Sequence, residues 1–191
     1  MRIAALVGSI AVLALTTGAA LAGPIVDHAT RAEALLDGGD ATAAADALDQ
    51  AMEEIWKRSP LAFRKALFVV DSSGFGIYQE RESNVFRQGE PLVVYAEPIG
   101  FAYGRNAIGG SEISLVADFV LTDQDNNELF SQDDFLSVAL PVRYHNREFQ
   151  IKMTVNLTGL PPGSYIAKFH VRDKHSDKSG DFELPFEVAG G

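Results

Sequence analysis

From Leu61 onward the chain alternates apolar and polar residues, and this period of two constrains its fold more than any other feature. Residues 165 to 172, YIAKFHVR, place Tyr165, Ala167, Phe169 and Val171 on one face and Ile166, Lys168, His170 and Arg172 on the other. That is the pattern of a strand with one face buried. Residues 148 to 157 repeat it with Phe149, Ile151, Met153, Val155 and Leu157. So do residues 113 to 121 and 182 to 188, with further candidates near 66–70, 75–79, 91–97 and 135–142. About eight half-buried strands with turn residues between them predict an antiparallel sandwich or barrel.

The period is different before Leu61. Ala44, Ala47, Leu48, Ala51, Met52, Ile55 and Trp56 recur at helical spacing, and Ile25, Ala29, Ala32, Leu35 and Leu36 form a thinner stripe upstream. Between them DGGD supplies glycine to end one helix and Asp40 to cap the next. The leucine pair, Gly-Asp turn, alanine-rich helix and following Pro60 resemble one tetratricopeptide unit. A single such unit cannot bury a solenoid face, for which about three are needed. An alanine-rich hairpin packed on its neighbour is therefore expected over residues 23–60, with the β domain over 61–191.

The first 22 residues have the form of a signal peptide. Arg2 is followed by an apolar run from Ile3 to about Leu15, then by Ala20-Leu21-Ala22 as a small-x-small cleavage site. A membrane anchor is the alternative, since Ile3 to Ala22 is uncharged and long enough to span. Ser9, Thr16, Thr17 and Gly18 dilute that run and no positive cluster follows it, which favours export with cleavage. A formal net charge of −10 disfavours nucleic acid as a partner. Cysteine is absent, so stability has to come from an apolar core and not from disulfides.

The stretch TGLPPGSYIAKFHVRD, residues 158 to 173, makes the topology more specific. LPPG stops one strand and turns the chain, and Tyr165 opens the next. This resembles the tyrosine corner of immunoglobulin-like and fibronectin type III-like sandwiches, over about residues 62 to 189. The resemblance implies a mainly β fold, an immunoglobulin-like antiparallel β-sandwich of about eight strands preceded by a short α-helical hairpin. The paired core cysteines are missing and the only tryptophan, Trp56, lies in the helices, so an antibody-type domain is excluded. The chain also looks like small exported bacterial proteins that end in a GLPPGxY…F.V.D…F.LPF.V pattern, which implies nothing about mechanism. In such a topology residues 148–157, 165–172 and 182–188 are strands E, F and G. A register for the last two that places Lys168 opposite Glu187, His170 opposite Pro185 and Arg172 opposite Glu183 satisfies both faces.

The patterns that suggest chemistry are weak. The row Lys168, His170, Arg172 resembles an anion-binding ridge, but glutamates across the hairpin are expected to neutralise it. TDQDNNELFSQDD comes near a calcium loop, yet Glu128 stands where the sharp turn needs glycine and Asp134 where glutamate should reach, so a polar hairpin turn is expected. His170, Asp173, His175 and Asp177 straddle a strand end, and their spacing does not imply a metal site. GxSxG, HExxH, P-loop and GxGxxG patterns are absent. Asn156-Leu157-Thr158 matches a glycosylation acceptor. No cofactor and no metal is expected.

One loop remains. EPIGFAYGRNAIGG, residues 97 to 110, carries Phe101, Tyr103 and Arg105 among four glycines. Loops longer than about 12 residues are usually functional or disordered. In an immunoglobulin-like sandwich this loop lies at the same end as DKHSDKSGD, which holds Lys174 and His175. Aromatics with glycine, asparagine and arginine suit adaptable recognition. Alternatively, Phe101 and Tyr103 fold back to plug the sandwich end. The expectation is an exported, non-enzymatic binding or adaptor protein for an envelope protein or glycan. Its contacts would come from Phe101, Tyr103, Arg105, Lys174 and His175. The alternatives are a carbohydrate-binding module or weak glycan hydrolase using the same aromatics, and an envelope protein that self-associates through the hairpin.

Overall fold

The computed structural model describes residues 23–190, and residues 1–22, read from the sequence as a signal peptide, lie outside them. Helix α1 (Pro24–Asp37) opens on Pro24, where a missing N–H costs nothing. Helix α2 (Ala41–Arg58) is capped by Asp40, whose side chain accepts from Ala43 N at 3.0 Å. Gly39 takes φ 84° in between, a conformation glycine adopts without strain. Ala32 of α1 and Ala44, Ala47 and Ala51 of α2 are buried.

The apolar stripe of α2 divides. Its alanines are buried and Trp56 joins the core of the β domain, while Leu48, Met52 and Ile55 are exposed. At about 100° per residue these three lie between the alanine side and the Trp56 side of the helix.

The strands are β1 (Ala62–Gly74), β2 (Ile77–Glu80), β3 (Val85–Phe86), β4 (Leu92–Ile99), β5 (Gly104–Arg105), β6 (Ser111–Asp123), β7 (Glu128–Val142), β8 (Ile151–Val155), β9 (Gly163–Asp173) and β10 (Ser179–Val188). They form two sheets, one ordered β2-β1-β4-β8 and the other β3-β10-β9-β6-β5, with β7 also paired to β6. The fold is thus mainly β with a helical hairpin in front. Pairing is antiparallel except between β3 and β10. The excess over eight strands comes from the two-residue β3 and β5. Apolar positions of both sheets, among them Phe68, Val94, Met153, Phe119 and Phe169, enclose one core.

The predicted register of the last hairpin needs correction. Lys168 faces Glu183, His170 faces Asp181, Arg172 faces Ser179, and Pro185 faces Ile166. Alternation decides only which side chains share a face, so a slip by any even number of residues on one strand, here four, leaves both faces satisfied. The turn decides the rest. Asp173 N donates to Lys178 O at 2.9 Å, so pairing starts at Ser179 and the hairpin is tighter than the faces alone require. Phe182 then stacks on Phe169 with ring centroids 4.9 Å apart. The basic row is neutralised by other partners: Lys168 by Glu183 at 3.3 Å, His170 by Asp181, and Arg172 by Asp118 and Asp134, each at 2.7 Å.

The segment likened to a calcium loop is a hairpin turn. Asp123 accepts from Asp125 N and Asn127 N at 2.9 Å and from the Asn127 side chain at 2.8 Å. The Asn127 side-chain amide first, then these backbone donors, hold its carboxyl below the usual carboxylate range.

The tyrosine corner forms as its residues imply. Tyr165 Oη donates to Pro161 O at 2.8 Å, tying β9 back to the loop before it. Tyr165→Phe removes this bond and keeps the ring. It is expected to lower stability by about 1 kcal/mol in urea unfolding, the ordinary net value of one hydrogen bond. No change in midpoint would mean that water replaces the bond.

Candidate functional site

The loop from 97 to 110 is more structured than its composition suggests. Gly100 takes φ 79° and passes so close to Pro60 O that a Cβ there would overlap it. This sends Phe101 inward. Phe101 is 1% exposed and makes edge-on contacts with Trp56, Tyr103 and Phe149, ring centroids 5.4, 5.5 and 5.7 Å away. Tyr103 lies flat on His145, centroids 4.0 Å apart and planes within 5°, and its hydroxyl donates to Asn146 O at 3.0 Å. Past Tyr103 the chain becomes β5, which pairs with β6 around a turn closed by Asn106 N to Gly110 O at 2.8 Å.

Of the three residues of this loop expected to join a recognition surface, only Arg105 is exposed, and it donates to Gly109 O within its own turn. Phe101 is unavailable because Trp56, brought by α2, completes an aromatic socket over it. The plug reading holds for Phe101, and Tyr103 is half-buried beside it.

The two loops do meet. Asp173, buried at the end of β9, accepts from Ala102 N at 2.6 Å, His175 N at 2.9 Å and Ser176 Oγ at 2.8 Å. Lys174 is exposed, and its backbone N–H is bonded to Ser114 O. His175 packs so tightly over Gly104 that a Cβ there would overlap its ring, and its Nε2 lies 3.2 Å from Glu112. Lys178 reaches under α2 and donates to Trp56 O at 2.8 Å and Gly100 O at 2.6 Å. Among the described residues no carboxylate pairs with it.

These contacts leave a cleft of about 270 Å³ between α2 and the sandwich end. Trp56, Phe101, Ala102 and Tyr103 wall it, with Glu53, Lys57, His145 and Lys178 at its polar positions. Glu53 is held at 2.8 Å by His145 and at 3.0 Å by Arg147, which also binds Asp49 and lies over the Trp56 ring. The sequence pointed to the stretch 173–181, which holds Asp173 and Lys178, without singling either out, and it missed His145 and Arg147. Trp56 also left a signal, as the single tryptophan, placed on the apolar stripe of α2. A second groove, of about 340 Å³, opens between β7 and the crossing after β8, and no charged residue lines it.

Burial raises the Tyr103 hydroxyl from its ordinary 10.0 to about 12, and burial does the same to Tyr95. The neutral phenol is therefore the form the fold favours. Its contribution is complete below pH 10 and declines as pH rises through 10 towards 12, where the unfolded chain ionises first. In an ultraviolet titration two of the five tyrosines should ionise only near pH 12 or on unfolding. Tyr103→Phe should leave one late tyrosine. A titration without a late phase would show both phenols to be solvated.

No family model and no curated protein sequence matches the chain. Solved structures give distant likenesses to β-rich proteins. A cycloisomaltooligosaccharide glucanotransferase from Paenibacillus sp. is 8% identical, with a TM-score of 0.37 over 69% of this chain and 15% of its own. The sporulation control protein Spo0M from Bacillus subtilis is 11% identical, with a TM-score of 0.36 over 70% and 51%. A superoxide reductase (neelaredoxin) from Ignicoccus hospitalis is 11% identical, with a TM-score of 0.36 over 74% and 91%. The chain spans less than two thirds of the length of the first two.

Proposed function

We propose that the two sheets are an immunoglobulin-like sandwich and that the protein is an exported, non-enzymatic binding or adaptor protein. Its recognition site is the cleft under α2. The topology is supported by the strand orders β1-β4-β8 and β10-β9-β6-β7, which correspond to A-B-E and G-F-C-C′, and by the Tyr165 corner. Export is supported by the form of residues 1–22.

The observation that carries the binding reading is the cleft itself. Four segments distant in sequence converge on it, its walls are apolar, and at its edge sits Lys178, which has no carboxylate partner among the described residues. Mostly apolar concavities with a few placed polar groups are the usual form of a binding site. Glu53, His145 and Arg147 hold one another in place, which suits a rigid receptor. The partner is an envelope protein or glycan that inserts one apolar group beside an anionic one.

The test fills the cleft. Ala102→Trp adds bulk where Ala102 lines it and leaves the backbone bond to Asp173 intact. The immobilised protein should retain a component of the source organism's envelope extract that the folded Ala102→Trp variant loses. Equal capture by both, with matching circular dichroism, would move recognition away from the cleft.

A further inference from the structure

The longest strand, β7, is also an edge. It pairs with β6 on one side only, over Glu128–Val142. Edge strands offer a row of free N–H and C=O groups and are commonly guarded by charges, bulges or proline. Here the guards stand at two places. A bulge carries Asp133 and Asp134, with Asp134 at φ 50° and its N–H bonded to Asp118. Pro141 lies near the other end. Between them Leu136–Leu140, LSVAL, has no charge and no guard.

We propose that this stretch pairs antiparallel with the same stretch of a second copy, about a two-fold axis through Val138, joining two sandwiches edge to edge. Three features select a second copy over another partner. First, the sequence is self-complementary about Val138: Leu136 meets Leu140 of the second copy, Ser137 meets Ala139, and Val138 meets itself. Second, the backbone groups face the right way. Pro141 has no N–H, so its nitrogen belongs on the unpaired side, and Ser137 and Ala139, of the same parity, then turn their N–H and C=O groups outward. Each meets the other in the second copy as a hydrogen-bonded pair. The central Val138 pair is then of the non-bonded kind, where side chains approach most closely.

Third, the charges match. The strict register ends at the bulge, but the two-fold axis carries Arg143 of each copy to the end of the seam where Asp133 of the other lies. Both are exposed, and among the described residues neither has a salt-bridge partner. Two symmetric ion pairs would thus bracket an uncharged seam in a chain whose net charge of −10 otherwise opposes self-contact. Leu136 and Val138 are only partly buried, packed against the core from its open edge, and Leu140 is 39% exposed. Pairing would extend the core across the seam. Such an interface is isologous, as closed dimers require.

Sedimentation equilibrium of the mature protein over a wide concentration range tests this. The weight-average mass should rise towards twice that of one chain. Val138→Lys places two ammonium groups on the axis and should keep the protein monomeric at every concentration. Arg143→Asp should weaken association at least about tenfold, the size of a close charge pair turned repulsive. Adding Asp133→Arg to it should restore the wild-type curve, which damage to the fold could not do. A wild-type protein that stays monomeric overturns the proposal. So does a dimer indifferent to Val138→Lys and Arg143→Asp, which would join through another surface, with Leu48, Met52 and Ile55 of α2 the next to mutate.

Discussion

Phe101→Ala should lower the unfolding free energy by about 3 to 5 kcal/mol, the range for truncating a large aromatic in a packed interior. That is a large share of the roughly 5 to 15 kcal/mol that stabilises a domain. Phe101 touches Trp56 of the hairpin, Phe149 before β8 and Tyr103 in its own loop. The cavity left behind would therefore lie where the helices join the sandwich. Trp56 is the sole tryptophan, so its fluorescence reports on this junction alone. Emission should shift to the red in the folded variant as water reaches the indole, before global unfolding begins. A loss below about 1 kcal/mol with unchanged emission would mean that the ring is not held in the socket. It would restore Phe101 as a surface recognition residue.

This outcome separates the two meanings the loop had in sequence. Phe101 and Tyr103 were legible as aromatics without a strand face, and the same fact fits a recognition loop or a plug. The partner that decides between them, Trp56, belongs to a helix whose packing direction cannot be read from its own periodicity. A stripe containing Leu48, Met52, Ile55 and Trp56 shows that a face is apolar, not which part of it meets a neighbour. The strands were legible because alternation is a local property. Their register was less so, because Lys168 meets a glutamate in either of two registers that share a parity, and only the Asp173–Lys178 turn chooses. The Tyr165 corner was readable since its bond spans four residues. Lys178, His145 and Arg147 act over 78 to 122 residues of sequence, and no local pattern marks them.

Asp173→Ala should cost about 3 to 5 kcal/mol, although it removes only a small side chain. The carboxylate accepts two backbone N–H groups, of Ala102 and His175, and the Ser176 hydroxyl. Alanine offers none of them a partner. A buried donor left unpaired costs about 1 to 3 kcal/mol, and the bonds lost here were made to a charged acceptor, which are the stronger kind. Ser176 can turn to water, whereas Ala102 N is fixed in its loop by the buried Phe101 beside it. Asp173→Asn keeps one acceptor oxygen and should fall between. The second readout is local. Ala102 N–H and His175 N–H should lose protection from hydrogen exchange by more than amides in β9, because the stitch between the two loops is what fails. Since the cleft under α2 is framed by those loops, capture of an envelope component should weaken in the folded fraction of Asp173→Ala as it does in Ala102→Trp. If exchange at Ala102 and His175 is unchanged, the two loops hold together without the carboxylate. The cleft would then owe its shape to Lys178 and the aromatic socket alone.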